Sequence, residues 1–118
     1  MCGIVGLFFK TPKGHGELGR LLSGMLIEMS DRGPDSAGFA VYGDPAPQEA
    51  LKATLFHPDP AFSWADFERA LGARFGLAGS GTTHASHRVV TVRAAPDALR
   101  RWLKEHHPAI RLMGFGER

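Results

Sequence analysis

The sequence predicts a mixed fold of α-helices and β-strands in a single domain, residues 1–118. Short runs rich in β-branched and aromatic side chains are typical of strands. In three longer segments, apolar side chains recur every three or four positions, as on one face of a helix. Stretches containing proline and glycine separate these segments. The predicted order is strand, helix, strand, strand, helix, strand, helix, strand, with no internal repeat and no evident domain boundary.

The first part of the chain predicts a helix between two strands. Residues 4–9 form a compact apolar run, which we expect to be a buried strand, and residues 36–42 are expected to form the second strand. The helix is predicted over residues 17–30, because six apolar residues there form one stripe. These residues are Leu18, Leu21, Leu22, Met25, Leu26 and Met29. Pro34 cannot continue a helix, so we expect the chain to turn near Arg32.

The rest of the chain predicts two more helices and three more strands. Ser63, with an acid three residues later at Asp66, is typical of a helix N-cap, and this helix should reach about Arg74. Pro96 suits the first turn of the next helix, which should end before Pro108. The strands are expected over residues 51–56, 87–94 and 110–115, with a glycine-rich connector over residues 76–81.

Composition and charge indicate which broad class of protein this chain belongs to and which binding partners are not expected. With 43% hydrophobic and 22% charged residues, the chain resembles an ordinary soluble globular protein. The net charge is +2 and the basic residues are dispersed, so we expect no nucleic-acid partner. We also expect no membrane association, because no apolar run reaches the roughly 18 to 20 residues of a span, and no signal peptide. A single cysteine cannot form an internal disulfide, which favours a cytoplasmic location.

Two polar clusters are interpreted as structural. His84 and His87 lie three positions apart, but no cysteine or carboxylate nearby supplies a third metal ligand, so we predict no metal site. Asp31 and Asp35 could be proposed as an acid/base pair. Because Arg32 lies between them, an ion-paired turn is the simpler expectation.

Cys2 directly follows Met1, and this position has chemical consequences. If Met1 is removed, a thiol and a free α-amine lie on the same residue. The reference pKa of an α-amine is about 7.7 to 8.0 and that of a thiol is about 8.5, so near neutral pH the amine can accept the thiol proton. One residue then provides both nucleophile and base, as in N-terminal nucleophile hydrolases. The structural alternative is that Cys2 is a small buried apolar residue.

Two motifs about thirty positions apart favour the catalytic interpretation. They are Cys2-Gly3-Ile4-Val5-Gly6 and Arg32-Gly33-Pro34-Asp35-Ser36-Ala37-Gly38. Together they resemble the front of the class II glutamine amidotransferases, whose nucleophile is an N-terminal cysteine. Residues 25–29 and 113–118 are most similar to stand-alone amidotransferase subunits related to glutamate synthase and N-methylglutamate synthase. The resemblance implies an α+β fold, the N-terminal portion of a four-layer αββα sandwich.

The resemblance also implies a reaction. Cys2 would be the catalytic nucleophile, attacking the glutamine carboxamide to give a γ-glutamyl thioester and ammonia, after which water releases glutamate. The residues implied to support the loop beside the nucleophile are Gly3, Arg32, Gly33 and Asp35. Ammonia would pass to a synthase partner, and no cofactor or metal is implied.

The sequence departs from the family pattern at the substrate pocket. The family takes its oxyanion donors from an Asn-Gly segment and holds the glutamine carboxylate with an arginine in a His-Thr-Arg type segment. This sequence has no asparagine, and neither segment can be placed before Arg118. The substrate-binding residues are therefore unknown, and we expect a truncated chain that is inactive alone. The alternative is a non-catalytic folding or interaction module that keeps the motif structurally.

Overall fold

The computed structural model describes residues 3–118, so Cys2 lies outside the described residues. By their contacts, the described residues divide into two compact units, of which the first ends at Val41 and the second is Tyr42–Arg118. Helices and a small antiparallel sheet make up the structure. The expected α+β class is therefore confirmed.

The first unit is built around one helix. A 3-10 turn, Pro12–Glu17, leads into helix α1, Leu18–Met29, and a second 3-10 turn, Ser30–Arg32, follows. Helix α1 confirms the helix expected over residues 17–30. The six residues of its apolar stripe are all half-buried, whereas the helix residues between them are exposed. The stripe is therefore confirmed as one face, although none of its residues is fully buried.

Both strands expected in the first unit are wrong. In the described chain, residues 4–9 and 36–42 belong to no strand. Ile4 is 96% exposed and Phe39 is 76% exposed, so these runs are not buried either. A β-branched or aromatic run fits a pleated surface, but a strand also needs a second segment to pair its backbone N–H and C=O groups. Among the described residues, neither run has that partner.

The second unit contains a four-stranded antiparallel sheet. Its strands are β1, Leu51–Phe56; β2, Thr82–His84; β3, His87–Val92; and β4, Arg111–Gly116. Their order is β2-β3-β1-β4, and every neighbouring pair is antiparallel. Strands β1, β3 and β4 confirm the expected strands, β1 at the expected bounds. The short strand β2 was not expected; it forms a hairpin with β3 in which Ala85 has a positive φ of 52°.

Two helices pack on the sheet and enclose the core. Helix α2 is Trp64–Phe75, and the Ser63 hydroxyl accepts the backbone N–H of Asp66 at 3.3 Å, which confirms the N-cap. Helix α3 is Pro96–His106, with the expected proline in its first turn. The buried core residues come from these helices, from β1 and β3, and from the position directly before β4. They are Ala53, Leu55, Phe67, Leu71, Val90, Val92, Leu99, Leu103 and Ile110. No helix within residues 3–118 has the length and apolarity that a bilayer span requires.

The stability of the second unit is expected to depend on pH through His107. Its ring lies 4.8 Å from the ring of Trp102 and 5.0 Å from that of Phe67, measured between centroids. Burial lowers the pKa of His107, and the neighbouring His106 lowers it further. The folded chain therefore resists protonation at this site more than the unfolded chain, whose histidines titrate near about 6.5.

We therefore expect the free energy of unfolding to fall as the pH is lowered through the unfolded pKa toward the lower folded one. Below the folded pKa the loss should level off, because both states are then protonated. Urea denaturation between about pH 8 and about pH 5 measures this loss. The variant His107→Gln should show a shallower dependence on pH than the unaltered chain. An identical dependence in both proteins would contradict the assignment to His107.

Candidate functional site

The residue next to the expected nucleophile lies against the end of helix α1. A Cβ atom built on Gly3 would collide with the terminal methyl group of Met29, the last residue of the helix. The same position lies 3.9 Å from the Cβ of Arg32. The structure thus brings Gly3, from the first motif, to the turn that carries the second motif, about thirty residues away in sequence.

Local hydrogen bonds hold this turn after α1. The Ser30 hydroxyl donates to the carbonyl oxygen of Ile27 at 2.7 Å, and the Gly33 N–H donates to the carbonyl oxygen of Ser30 at 3.3 Å. The 3-10 turn therefore ends at Arg32, directly before Gly33 and Pro34. This confirms the turn expected from Pro34.

The side chains of the second motif are open to solvent. Arg32 and Asp35 are exposed, and Gly33 is half-buried. Within residues 3–118, Arg32 forms no salt bridge with Asp31 or Asp35, so the expected ion-paired turn is wrong. Backbone and Ser30 hydrogen bonds hold the turn instead.

Two shallow grooves lie elsewhere, on the second unit. One, of about 560 Å³, is lined by residues at the start of α3, by Leu51 and by the end of β4; the other, of about 340 Å³, lies between α3 and β4. Neither groove is lined by Gly3, Arg32 or Asp35. His84 on β2 and His87 on β3 are paired with each other in the hairpin. Within residues 3–118, no group of three or more side chains that could hold a metal ion is found.

Sequence reasoning missed the least exposed ion pair found within residues 3–118. Arg88 on β3 donates to both carboxylate oxygens of Glu68 on α2, at 2.9 and 3.0 Å, and to the Thr83 hydroxyl at 2.6 Å. The Arg88 and Glu68 side chains are only 17% and 14% exposed. A Cβ on Gly81 would collide with the Glu68 carboxylate and approach the Arg88 Nε to 2.7 Å. The pair ties the helix to the sheet; the absence of a side chain at residue 81 leaves room for it.

Comparison with known proteins finds a relative that is similar to this chain over nearly its whole length. The sequence is 45% identical over 118 residues to the glutamine amidotransferase-like protein GlxB of Rhizobium meliloti (strain 1021), which covers 99% of this chain. It is also 51% identical over 43 residues, 36% of this chain, to a putative glutamine amidotransferase of Methanothermobacter thermautotrophicus. No family model and no solved structure matches the chain.

The two relatives are longer proteins. The chain spans 38% of the length of the Rhizobium meliloti relative, and the match to the Methanothermobacter thermautotrophicus relative covers 14% of that protein. Both relatives carry names of the kind that the two motifs indicate. The similarity over the whole chain therefore supports a relationship to the glutamine amidotransferases.

Proposed function

We propose that this chain carries the nucleophile-bearing part of a class II glutamine amidotransferase of the N-terminal nucleophile type. The observation that carries the proposal is the 45% identity, over the whole chain, to a protein named glutamine amidotransferase-like. The position of Gly3 supports it. A Cβ atom built on Gly3 would lie 3.9 Å from the Cβ of Arg32. Gly3 of the first motif and Arg32 of the second thus lie close together.

The proposed reaction begins at Cys2 after removal of Met1. The α-amine takes the thiol proton, and the sulfur attacks the carboxamide carbon of glutamine. The carbon–nitrogen bond then breaks, and the leaving nitrogen takes the proton from the α-ammonium and departs as ammonia. Water attacks the γ-glutamyl thioester, returning a proton through the amine and releasing glutamate and the free thiol.

Four other residues have supporting roles in this proposal. Gly3 allows close approach of the backbone to the turn, and Gly33 continues that turn by its N–H bond to Ser30. The exposed Arg32 and Asp35 are assigned to the loop beside the nucleophile, and they take no part in bond breaking. The proposal includes a αββα sandwich, a cytoplasmic location and a synthase partner that receives the ammonia.

The proposal assigns no oxyanion donor and no ligand for the glutamine carboxylate within these 118 residues. Such donors are often worth about 2.7 to 4 kcal/mol each in the transition state. We therefore expect that the chain by itself forms the thioester slowly and that efficient turnover needs residues supplied by further protein. Reactivity of the Cys2 thiol, rather than turnover, is the property to measure on this chain.

The test compares the mature chain with a chain that carries an uncleaved extension before Cys2. Both are treated with a glutamine-analogue electrophile, and the modified residue is located by peptide mass spectrometry. Cys2 is the only cysteine, so thiol modification reports on one site. We expect labelling of the mature chain to be about tenfold faster or more, because the extension converts the amine base into an amide.

The matched control is Cys2→Ser, which should remain unlabelled under the same conditions. Equal labelling rates for the mature and extended chains would contradict the proposal, since the free amine would then contribute nothing. That outcome would favour a non-catalytic folding or interaction module.

A further inference from the structure

We propose that the open edge of the sheet at β4, with the groove between α3 and β4, binds an acidic, extended segment of another protein. The proposal goes beyond the proposed amidotransferase function, because no residue of the two motifs lines this groove. Its basis is an open strand edge, an apolar groove floor and a basic rim. The groove is lined by Arg100, Leu103, Lys104, Pro108, Ile110 and Leu112.

Strand β4 forms one edge of the four-stranded sheet. Within residues 3–118 it pairs with β1 and with no other strand, so its second side is open. An open edge of this kind can accept an added strand through main-chain hydrogen bonds. The opposite edge is β2, which has only three residues, whereas β4 has six. Of the two edges, β4 therefore offers the longer template.

The floor of the groove beside this edge is apolar. Leu103 is 3% exposed and Ile110 is 6% exposed, and both belong to the core. Leu112 on β4 is half-buried and packs against that core. Farther along the strand, Met113 and Phe115 are exposed. Apolar side chains of a partner strand would therefore extend an existing core and lose their contact with water there.

The rim of the groove is basic. Arg100 and Lys104 lie one helical turn apart on α3, both are exposed, and none of the six lining residues is acidic. The Arg100 guanidinium lies 5.0 Å from the centre of the Phe115 ring, so its charge is close to β4. Arg100 also contacts Asp97 at 3.3 Å, but both side chains are more than half exposed, and such pairs are weak. Acidic side chains on a partner would meet complementary charge here.

Charge and an irregularity in β4 disfavour a second copy of this chain as the occupant. Antiparallel pairing of two β4 strands would place the two α3 helices on one side of the joined sheet, with their basic rims together. Like charges that face each other across paired strands are destabilising. In addition, a bulge shifts the register between β1 and β4, and bulged edges resist indiscriminate pairing. The partner is therefore expected to be a different chain.

The test uses the 118-residue chain and a labelled, end-capped peptide of about eight residues in which glutamate and valine alternate. Fluorescence anisotropy measures its binding. A second peptide has lysine in place of glutamate, so it keeps the valines and reverses the charge. We expect the glutamate peptide to bind about tenfold more tightly or better at low salt. Its affinity should fall as salt is added, because salt screens the charges.

Two variants with the same change in charge show whether the peptide binds at the groove. Lys104→Glu reverses a charge on the rim, whereas Arg101→Glu reverses an exposed charge on α3 that does not line the groove. We expect Lys104→Glu to weaken binding of the glutamate peptide about fivefold or more, and Arg101→Glu to weaken it less than about twofold. Urea denaturation checks that both variants are folded. Lys104→Gln replaces Lys104→Glu if the latter is unfolded.

Amide hydrogen exchange distinguishes strand addition from attachment through charge alone. With the glutamate peptide bound, amides within residues 111–116 should exchange more slowly, because an added strand gives the open side of β4 hydrogen-bond acceptors. The amides of β2, at the opposite edge of the same sheet, should exchange at an unchanged rate.

The proposal is overturned if the glutamate peptide does not bind, if the lysine peptide binds equally well, or if the two charge reversals have equal effects. Slower exchange at β2 instead of β4, or at neither strand, would also overturn it. A chain that is dimeric through β4 in solution would show that a second copy occupies the edge, which contradicts the proposal. None of these results depends on the reactivity of Cys2, so the proposed function is tested separately.

Discussion

Replacing Phe67 by alanine is expected to lower the free energy of unfolding by about 3 to 5 kcal/mol. Phe67 is 2% exposed and lies in the core between α2, α3 and the sheet. Its ring centroid lies 5.8 Å from that of Trp64 and 5.9 Å from that of Trp102. The substitution would remove buried apolar surface and leave a cavity that these rigid aromatic neighbours fill poorly.

Urea denaturation followed by tryptophan fluorescence measures this loss, because both tryptophans adjoin Phe67. The matched control is Phe39→Ala, the same chemical change at a residue that is 76% exposed. It should alter the free energy of unfolding by no more than about 0.5 kcal/mol. Similar losses for the two variants would show that Phe67 is not the centre of the core.

Replacing Arg88 by alanine is expected to lower the free energy of unfolding by about 2 to 3 kcal/mol. The substitution would strand the Glu68 carboxylate, which is 14% exposed and takes two hydrogen bonds from the Arg88 guanidinium. It would also remove the donor to the Thr83 hydroxyl. The remaining exposure of the pair keeps the estimate below the largest losses seen when a fully buried pair is broken, about 5 kcal/mol.

Two further variants test the geometry of this pair. Arg88→Lys keeps the charge but cannot donate in a fork to both carboxylate oxygens, so it should recover only part of the loss. Arg69→Ala is the matched control, because Arg69 also pairs with a carboxylate on α2, Asp66, but the two side chains are 77% and 67% exposed. We expect it to cost less than about 1 kcal/mol. Equal losses for Arg88→Ala and Arg69→Ala would contradict the structural role of the buried pair.

Elements with local signals could be predicted from the sequence. The N-cap at Ser63 and the proline at Pro96 mark helix starts through bonds and torsions of neighbouring residues, and both helices begin as expected. Strand β1 was found at its bounds because it lies between stretches that contain proline and other turn-forming residues. The stripe on α1 was also correct, because helical periodicity alone determines which side chains share a face.

Features that depend on distant partners could not be predicted. Residues 4–9 have strand-forming side chains, but no local pattern reveals whether a second segment pairs with them. Strand β2 has only three residues, and it exists because of the hairpin with β3. Glu68 and Arg88 are twenty positions apart, so no helical or strand spacing connects them.

At the candidate site, too, local features could be predicted from the sequence, whereas contacts between distant residues could not. The motifs around Cys2 and Arg32 were recognisable as residue types in sequence, whereas the contact between Gly3 and Met29 arises only when the chain start meets the end of α1. The ion pair expected at Arg32 failed because alternating charges in a turn do not fix side-chain directions. The order of charged residues along the chain therefore could not show whether Arg32 pairs with Asp31 or Asp35.

The central claim is that Cys2 begins the mature chain with a free α-amine. The most direct test is the intact mass of the protein purified from cells, with sequencing of its first peptide. The account predicts a mass lower than that of the translated sequence by one methionine residue, with Cys2 as the unmodified first residue. A chain that retains Met1, or that carries an acyl group on the Cys2 nitrogen, would contradict it.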